Sequence, residues 1–443
     1  MGIGIQLRGT LPKLSPANVA QLLEDASVQV FGSPLNPSLH QTTGTNFVLF
    51  AYPAAAPIEI ELTKSTRLRK ATITVTANTG TAGAGYHEAV VRFLDALTAT
   101  GVVWDADTDE FSDETGYFRS RDPKLLSIEV GKYLMAMMKM MDDSLSERET
   151  AAGPLLMWMP LSTYFSGRSG DDVMLPMGPK SREWIRSAAA DPDLALSLHA
   201  WPEPGLGALA LRNAALCQMW SDVPWCEAVD ESTAELYTQI LDLLSEAHKL
   251  DPQLDMPWAA WKEVAELAGE AHALPPAVAA RAVPAPRRPI GYRRDPITHA
   301  LPAGLRITLP GSMTFIANPD DENVLLAVGD LGNVRISVLS AKVPLTPAEL
   351  EEMFGSPPDA DEGMIELRKA RSWQSDSLRG VSYRWTDTRP DDDDEPGAAV
   401  MTSAHINRNT VVAFITFVSG IASPIDWVDA ALDSLEIVDA DDD

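Results

Sequence analysis

The sequence predicts an α+β protein: an N-terminal α/β unit with a tryptophan-rich helical layer, then an antiparallel sheet packed by helices. Three observations predict this. Short β-type runs and helical stripes alternate over residues 27–141, helical spacing prevails over 150–272, and eight strand-like runs divided by turns fill 305–418. At 443 residues the chain exceeds one ordinary core of about 250 residues, so more than one domain is expected.

In the first part, Ser27–Phe31, Asn46–Ala51, Ile58–Leu62 and Thr72–Ala77 are rich in β-formers and read as strands. Ile58, Ile60 and Leu62 alternate with Glu59 and Glu61, the pattern of a half-exposed strand. His87–Leu97 and Pro123–Met141 carry apolar residues at the three-and-four step of a helix. The second of these is methionine-rich, which reads as core filling. Seven of the 11 tryptophans lie within 150–272, where Ser232–Leu250 and Pro257–Ala268 are the clearest helices. Buried indoles suit a helical layer capping the sheet. Residues 1–272 form one domain, or two divided into 1–150 and 151–272.

Six prolines and five arginines mark 273–300 as a semi-rigid linker, through which neither helix nor central strand is expected to run. Beyond it, 301–443 offers the strands Leu305–Leu309, Met313–Ala317, Val324–Val328, Val334–Val338, Met364–Ala370, Val381–Thr386, Ala399–Ile406 and Val411–Val418. Helices are expected at Thr346–Phe354, which opens with a capping box, and at Pro424–Leu435. The segments LPAGLRITLPGSM, NVRISVLS with LTPAELEEMF, RGVSYRWT, TVVAFITFV and SPIDWVDAALDSLEIV together resemble the PsbP-like α/β/α sandwich family over 301–438. That family includes the effector-associated (Eag) chaperones of bacterial type VI secretion. The resemblance implies a non-catalytic sheet that cradles another polypeptide.

Charge narrows the function classes. With 35 basic and 63 acidic residues the chain carries −28, which argues against nucleic acid as a partner. No run approaches the roughly 18 apolar residues of a membrane helix, and the N-terminus lacks a signal-peptide core, so a cytoplasmic protein without membrane insertion is expected. Cys217 and Cys226 read as buried free thiols, with a disulfide as the alternative. Only 11 of the basic residues are lysine, a usage typical of GC-rich bacteria.

Motifs of chemistry are sparse. Gly80 and Gly85 have P-loop spacing, but Tyr86 and His87 stand where lysine and serine or threonine would be needed, so Thr79–His87 reads as a turn. Asp105, Asp107 and Asp109 begin like a calcium loop. Its sixth and twelfth positions are Glu110 and Gly116, so the ligand set does not close. No G-x-S-x-G, H-E-x-x-H or zinc-spaced cluster occurs, so no catalytic residue, metal or cofactor is assigned. A non-catalytic, protein-binding role follows, with a basic toxin or effector as partner. The foremost expectation is an immunity or antitoxin-type inhibitor; a type VI chaperone or adaptor is the alternative, and a hydrolase in the N-terminal half the second. The acidic loops carry the expected partner contacts: Asp105, Asp107, Asp109, Asp113 and Glu114, and Asp391, Asp392, Asp393 and Asp394.

Overall fold

The computed structural model describes residues 3–12, 16–53, 55–64, 70–105, 108, 111–147, 155–156, 163–165, 172–270, 274–281, 289–301, 304–316, 324–340, 364–374, 378–387, 397–406, 411–420 and 426–437. The chain is α+β, and its contacts separate two units. One holds 1–159, 168–223 and 232–291; the other holds 160–167, 224–231 and 292–443. The division at Tyr292 falls inside the proline–arginine stretch.

The first unit opens with β1 (Gly4–Pro12), α1 (Pro16–Phe31), β2 (Ser38–Thr43), β3 (Asn46–Phe50), β4 (Ile58–Lys64), β5 (Lys70–Asn78), α2 (Ala84–Ala99), β6 (Val103–Trp104) and β7 (Ser112–Asp113). The strands form one antiparallel sheet in the order β2-β3-β4-β5-β1-β6, with β7 also paired to β1. Alternation places Ile58, Ile60 and Leu62 in the core and leaves Glu59 and Glu61 exposed. Gly9 of β1 permits the close approach of β6: a Cβ there would stand 2.8 Å from the Trp104 ring and 3.0 Å from the Val103 carbonyl.

Ser27–Phe31 is not a strand but the last turns of α1. Val19, Leu23, Ala26 and Phe31 are buried, whereas Val28 is 56% exposed, which is helical spacing. The five-residue window is too short to separate a period of 2 from one of 3.6. Phe31 packs against Tyr86 and Phe93 of α2, with ring centroids 6.3 Å apart in both pairs.

Next come α3 (Tyr117–Ser120), α4 (Pro123–Glu147), β8 (Leu155–Leu156), β9 (Thr163–Phe165), β10 (Asp172–Met174), β11 (Lys180–Ser181), α5 (Arg182–Ala190), α6 (Pro192–Leu196), α7 (Ala208–Ser221), α8 (Glu231–Leu250), α9 (Trp258–Leu267) and α10 (Pro276–Arg281). Strand β9 belongs to the second unit, while β11-β10-β8 make a small sheet of the first. Two methionines of α4 behave as core, Met138 and Met141 joining Leu134, Ile185, Ala188, Ala195 and Leu198 in one buried cluster with Met135 packed against it. Met140 is 55% exposed, which corrects the core-filling expectation there. The helical layer meets the sheet domain through rings, Trp201 lying 5.1 Å from Tyr52 and 6.2 Å from Tyr86. Trp158 lies outside the described residues, and Trp225 falls in the second unit.

The second unit continues with β12 (Ile297–Ala300), β13 (Leu305–Leu309), β14 (Thr314–Ile316), β15 (Val324–Gly329), β16 (Gly332–Ser340), β17 (Met364–Gln374), β18 (Leu378–Asp387), β19 (Gly397–Ile406), β20 (Val411–Gly420), α11 (Asp426–Asp433) and β21 (Glu436–Ile437). Strands β14-β15-β16-β20-β19-β18-β17 form an antiparallel seven-stranded sheet; β21-β13-β12-β9 form a second. Val334, Ile336, Val338 and Ile415 pack with Val428, Ala431 and Leu432 of α11. The helix expected at Thr346–Phe354 lies outside the described residues.

The linker expectation needs correction at both ends. Pro276 starts the helix α10, since a first-turn proline lacks only an N–H that would be unbonded anyway. Strand β12 begins directly after the last proline, Pro296, and sits between β13 and β9.

Candidate functional site

The loop Thr79–Gly83 between β5 and α2 is filled by the chain itself. Gly83 takes φ 111°, a left-handed conformation that favours glycine. The Gly85 N–H, at the helix start where an anion would bind, donates to the Trp201 carbonyl at 3.0 Å; the Trp201 N–H donates to the Ala82 carbonyl at 2.8 Å. A Cβ on Gly85 would run into the Glu203 carbonyl and the Trp201 indole, and one on Gly83 would stand 2.7 Å from His199. The indole N–H of Trp201 donates to the Gly205 carbonyl at 2.8 Å, closing segment 199–205 over the loop. The glycines therefore make a packing seam, not a phosphate cradle. His199, in that seam, is 1% exposed, and burial lowers its pKa to about 4 against a backbone hydrogen bond with Gly80.

Thr79 of the same loop also joins a buried polar network. His87 Nε2 faces Asp113 Oδ1 at 3.2 Å and Thr115 Oγ1 at 3.1 Å, and His87 Nδ1 faces Thr79 Oγ1 at 2.8 Å. The other Asp113 oxygen accepts from the Phe118 N–H at 2.6 Å, and the Thr115 N–H and hydroxyl both donate to Oδ1 at 2.8 Å. Burial alone would raise the Asp113 pKa. The hydrogen bond and charge of His87, with the Phe118 and Thr115 amides, outweigh it and hold the carboxyl below its ordinary range. Hydroxyl, imidazole and carboxylate stand in the order used for nucleophilic catalysis, but the His87 and Asp113 side chains are 0% and 2% exposed. What this geometry does chemically is satisfy buried polar groups and fasten β7 and α3 to α2.

The acidic run 105–114 is thus split. Asp113 was expected to meet a partner, but it is buried, and both its oxygens are engaged inside the fold. Asp105 is half-exposed and pairs with Arg8 at 2.9 Å, whose guanidinium also lies over Phe111 at 4.4 Å. Glu114 is exposed and accepts from the Gly4 N–H at 2.8 Å. Asp107, Asp109 and Asp391–Asp394 lie outside the described residues.

A larger acidic surface lies where no motif pointed. The outward stripe of α8 carries Glu231, Glu235 and Asp242, exposed on the face opposite Tyr237, Ile240 and Leu244. Across residues 231–270 nine acidic side chains stand against two lysines. Those lysines pair within their helices, Lys249 to Glu246 at 3.0 Å and Lys262 to Glu266 at 3.4 Å. The signal for this surface is the helical spacing of Glu231, Glu235 and Asp242, which no run of consecutive acidic residues marks.

Two arginines at the end of the former linker are engaged too. Arg293 donates to the carbonyls of Gly311 and Met313 at 2.7 and 2.6 Å, and Arg294 lies 3.7 Å over the Trp225 ring. Cys217 and Cys226 are buried and form no disulfide. Among the described residues no three His, Cys, Asp or Glu side chains converge as metal ligands, and no helix is long and apolar enough to cross a membrane.

No family model and no curated protein matches the sequence. Among solved structures, one from Bacteroides thetaiotaomicron is 10% identical, covering 33% of this chain and 49% of its own, with a TM-score of 0.25. The chain thus spans about half the length of that structure. The Ran-binding protein Mog1p of Saccharomyces cerevisiae is 8% identical over 31% of this chain and 92% of its own, with a TM-score of 0.23. Likenesses this slight neither place the chain in a family nor bear on the PsbP-like resemblance of residues 301–438.

Proposed function

We propose that this chain is a non-catalytic binding protein that captures a basic protein partner. The partner we favour is a toxin, inhibited in the manner of a bacterial immunity or antitoxin protein. The distribution of carboxylates carries this reading: a net charge of −28 overall, and on α8 an outward stripe of Glu231, Glu235 and Asp242. Carboxylates held on a rigid helix steer and orient a cationic partner, whereas scattered ones mainly aid solubility. Asp105 and Glu114 add to the negative field from the sheet domain, although each also holds an internal contact.

A secretion chaperone or adaptor is the second reading, favoured by the seven-stranded sheet of the second unit and by the PsbP-like resemblance. A hydrolase has weaker support, because the hydroxyl–imidazole–carboxylate array of Thr79, His87 and Asp113 is sealed from solvent. Co-expression with the product of the adjacent gene separates the three. Rescue of growth supports inhibition, and recovery of an otherwise insoluble neighbour supports the chaperone. If the neighbour is neither toxic nor bound, partner capture fails.

A further inference from the structure

The corner where α8, α9 and α10 meet plays no part in the network above, yet its composition names a ligand. Trp258 and Trp261 stack with centroids 5.8 Å apart and planes 14° from parallel. His248 meets both rings edge-on, at 5.4 and 6.1 Å. Trp261 is fully buried, so it and His248 fix the orientation of the half-buried Trp258 ring. Over that ring, 5.0 Å from its centroid, lies the guanidinium of Arg281. Arg281 is exposed and ends α10, a six-residue helix anchored by the buried Val278.

We propose that the Trp258 ring is a seat for an arginine side chain of a basic protein partner, occupied by Arg281 in the unbound chain. Two features of the corner specify that occupant. The seat already holds a guanidinium, at the separation and over the kind of ring that cation–π attraction favours. Residues 231–270, which include the helices α8 and α9 that build it, carry nine carboxylates against two lysines, so a cationic chain is drawn to this side. Arginine rather than lysine is selected, because a planar, weakly hydrated guanidinium stacks on an indole where a compact, strongly hydrated ammonium does not. The inference rests on the reading of the protein as an electrostatic binder and adds the side chain it selects.

The test uses the full chain and two labelled probes of equal charge, hexa-arginine and hexa-lysine peptides, with affinities read by fluorescence anisotropy at one low ionic strength. Arg281→Ala empties the seat and raises the ratio of arginine-peptide to lysine-peptide affinity about threefold. The lost positive charge favours both peptides alike and cancels in that ratio. Trp258→Leu lowers the ratio below that of the unmodified chain while both peptides still bind, the remaining preference being that of carboxylates for guanidinium. An unchanged ratio in Arg281→Ala overturns the seat, and that exposed position lets the test stand even if loss of the Trp258 ring disturbs the fold. Equal binding of both peptides to every variant overturns the seat alone. Failure of both peptides to bind the unmodified chain overturns the seat and the electrostatic reading together.

Discussion

Residues that look alike in the sequence have opposite roles in the fold. Asp105 and Asp113 belong to one acidic run, yet Asp105 makes a half-exposed ion pair and Asp113 anchors a buried network. Removing Asp113 strands the His87 ring and two backbone amides away from water, so Asp113→Ala is expected to cost about 3 kcal/mol or more. Asp105→Ala breaks only a screened surface pair and is expected to cost under about 1 kcal/mol. Urea denaturation of both variants checks the contrast; equal losses would contradict the assignment of Asp113 to the core. Gly85 offers a second check. With Trp201 and Glu203 against its Cα, Gly85→Ala is expected to destabilise by about 1–3 kcal/mol through overpacking, visible as a lower melting temperature.

At the scale of elements, the seam between the β5–α2 loop and segment 199–205 has a pH dependence whose sign follows from burial. His199 has an ordinary pKa of 6.5 and is pushed down to about 4 in the fold. Above pH 6.5 the ring is neutral in both folded and unfolded chains, and the seam keeps its full stability. As pH falls from 6.5 toward 4 the unfolded chain takes up a proton that the folded ring refuses. The loss is on the order of 3 kcal/mol by the lower limit. In the second unit His299, lowered to about 4 by burial and by the charge of Arg293, carries the same sign. Denaturation midpoints at pH 7.5 and 5 are therefore expected to differ, and His199→Gln to flatten the slope for the first unit. For α8, replacing Glu231, Glu235 and Asp242 by lysine is expected to leave the melting temperature within a few degrees while abolishing capture of a basic partner. Retained binding in a pull-down would remove α8 from the interface.

For the whole molecule, a charge of −28 makes association a function of ionic strength. Raising salt from about 50 to about 500 mM shortens the Debye length from above 10 Å to below 5 Å, and the association rate with a basic partner is expected to fall at least tenfold. Stopped-flow or surface-based kinetics measure this directly, and an unaltered rate would contradict steering. Dissociation is expected to respond less, since short contacts such as a stacked arginine are screened weakly.

How much of this was legible in the sequence depended on the range of the forces involved. Strands such as β4, β13 and β16, and helices such as α4, α8 and α9, bury one face, and that requirement writes a period of 2 or 3.6 into a few consecutive side chains. Elements buried all round left no such mark. The tightly packed α7 shows no stripe. In β1 the alternation is present, with Ile5, Leu7 and Leu11 buried and Gln6 exposed, but Gly4 and Gly9 interrupt the run of β-formers that would mark a strand between β5 and β6. The amino-acid order by itself determined the α+β class, the net charge and the faces of the amphipathic elements. Only the tertiary structure decided that Asp113 is buried while Glu114 is exposed, that Trp201 closes the glycine loop, and that Arg281 rests on Trp258. The first two outcomes depend on groups more than 100 residues apart, such as the Trp201 amide and the Ala82 carbonyl or the Gly4 amide and the Glu114 carboxylate, whose meeting is set by tertiary packing and strand pairing and not by local pattern.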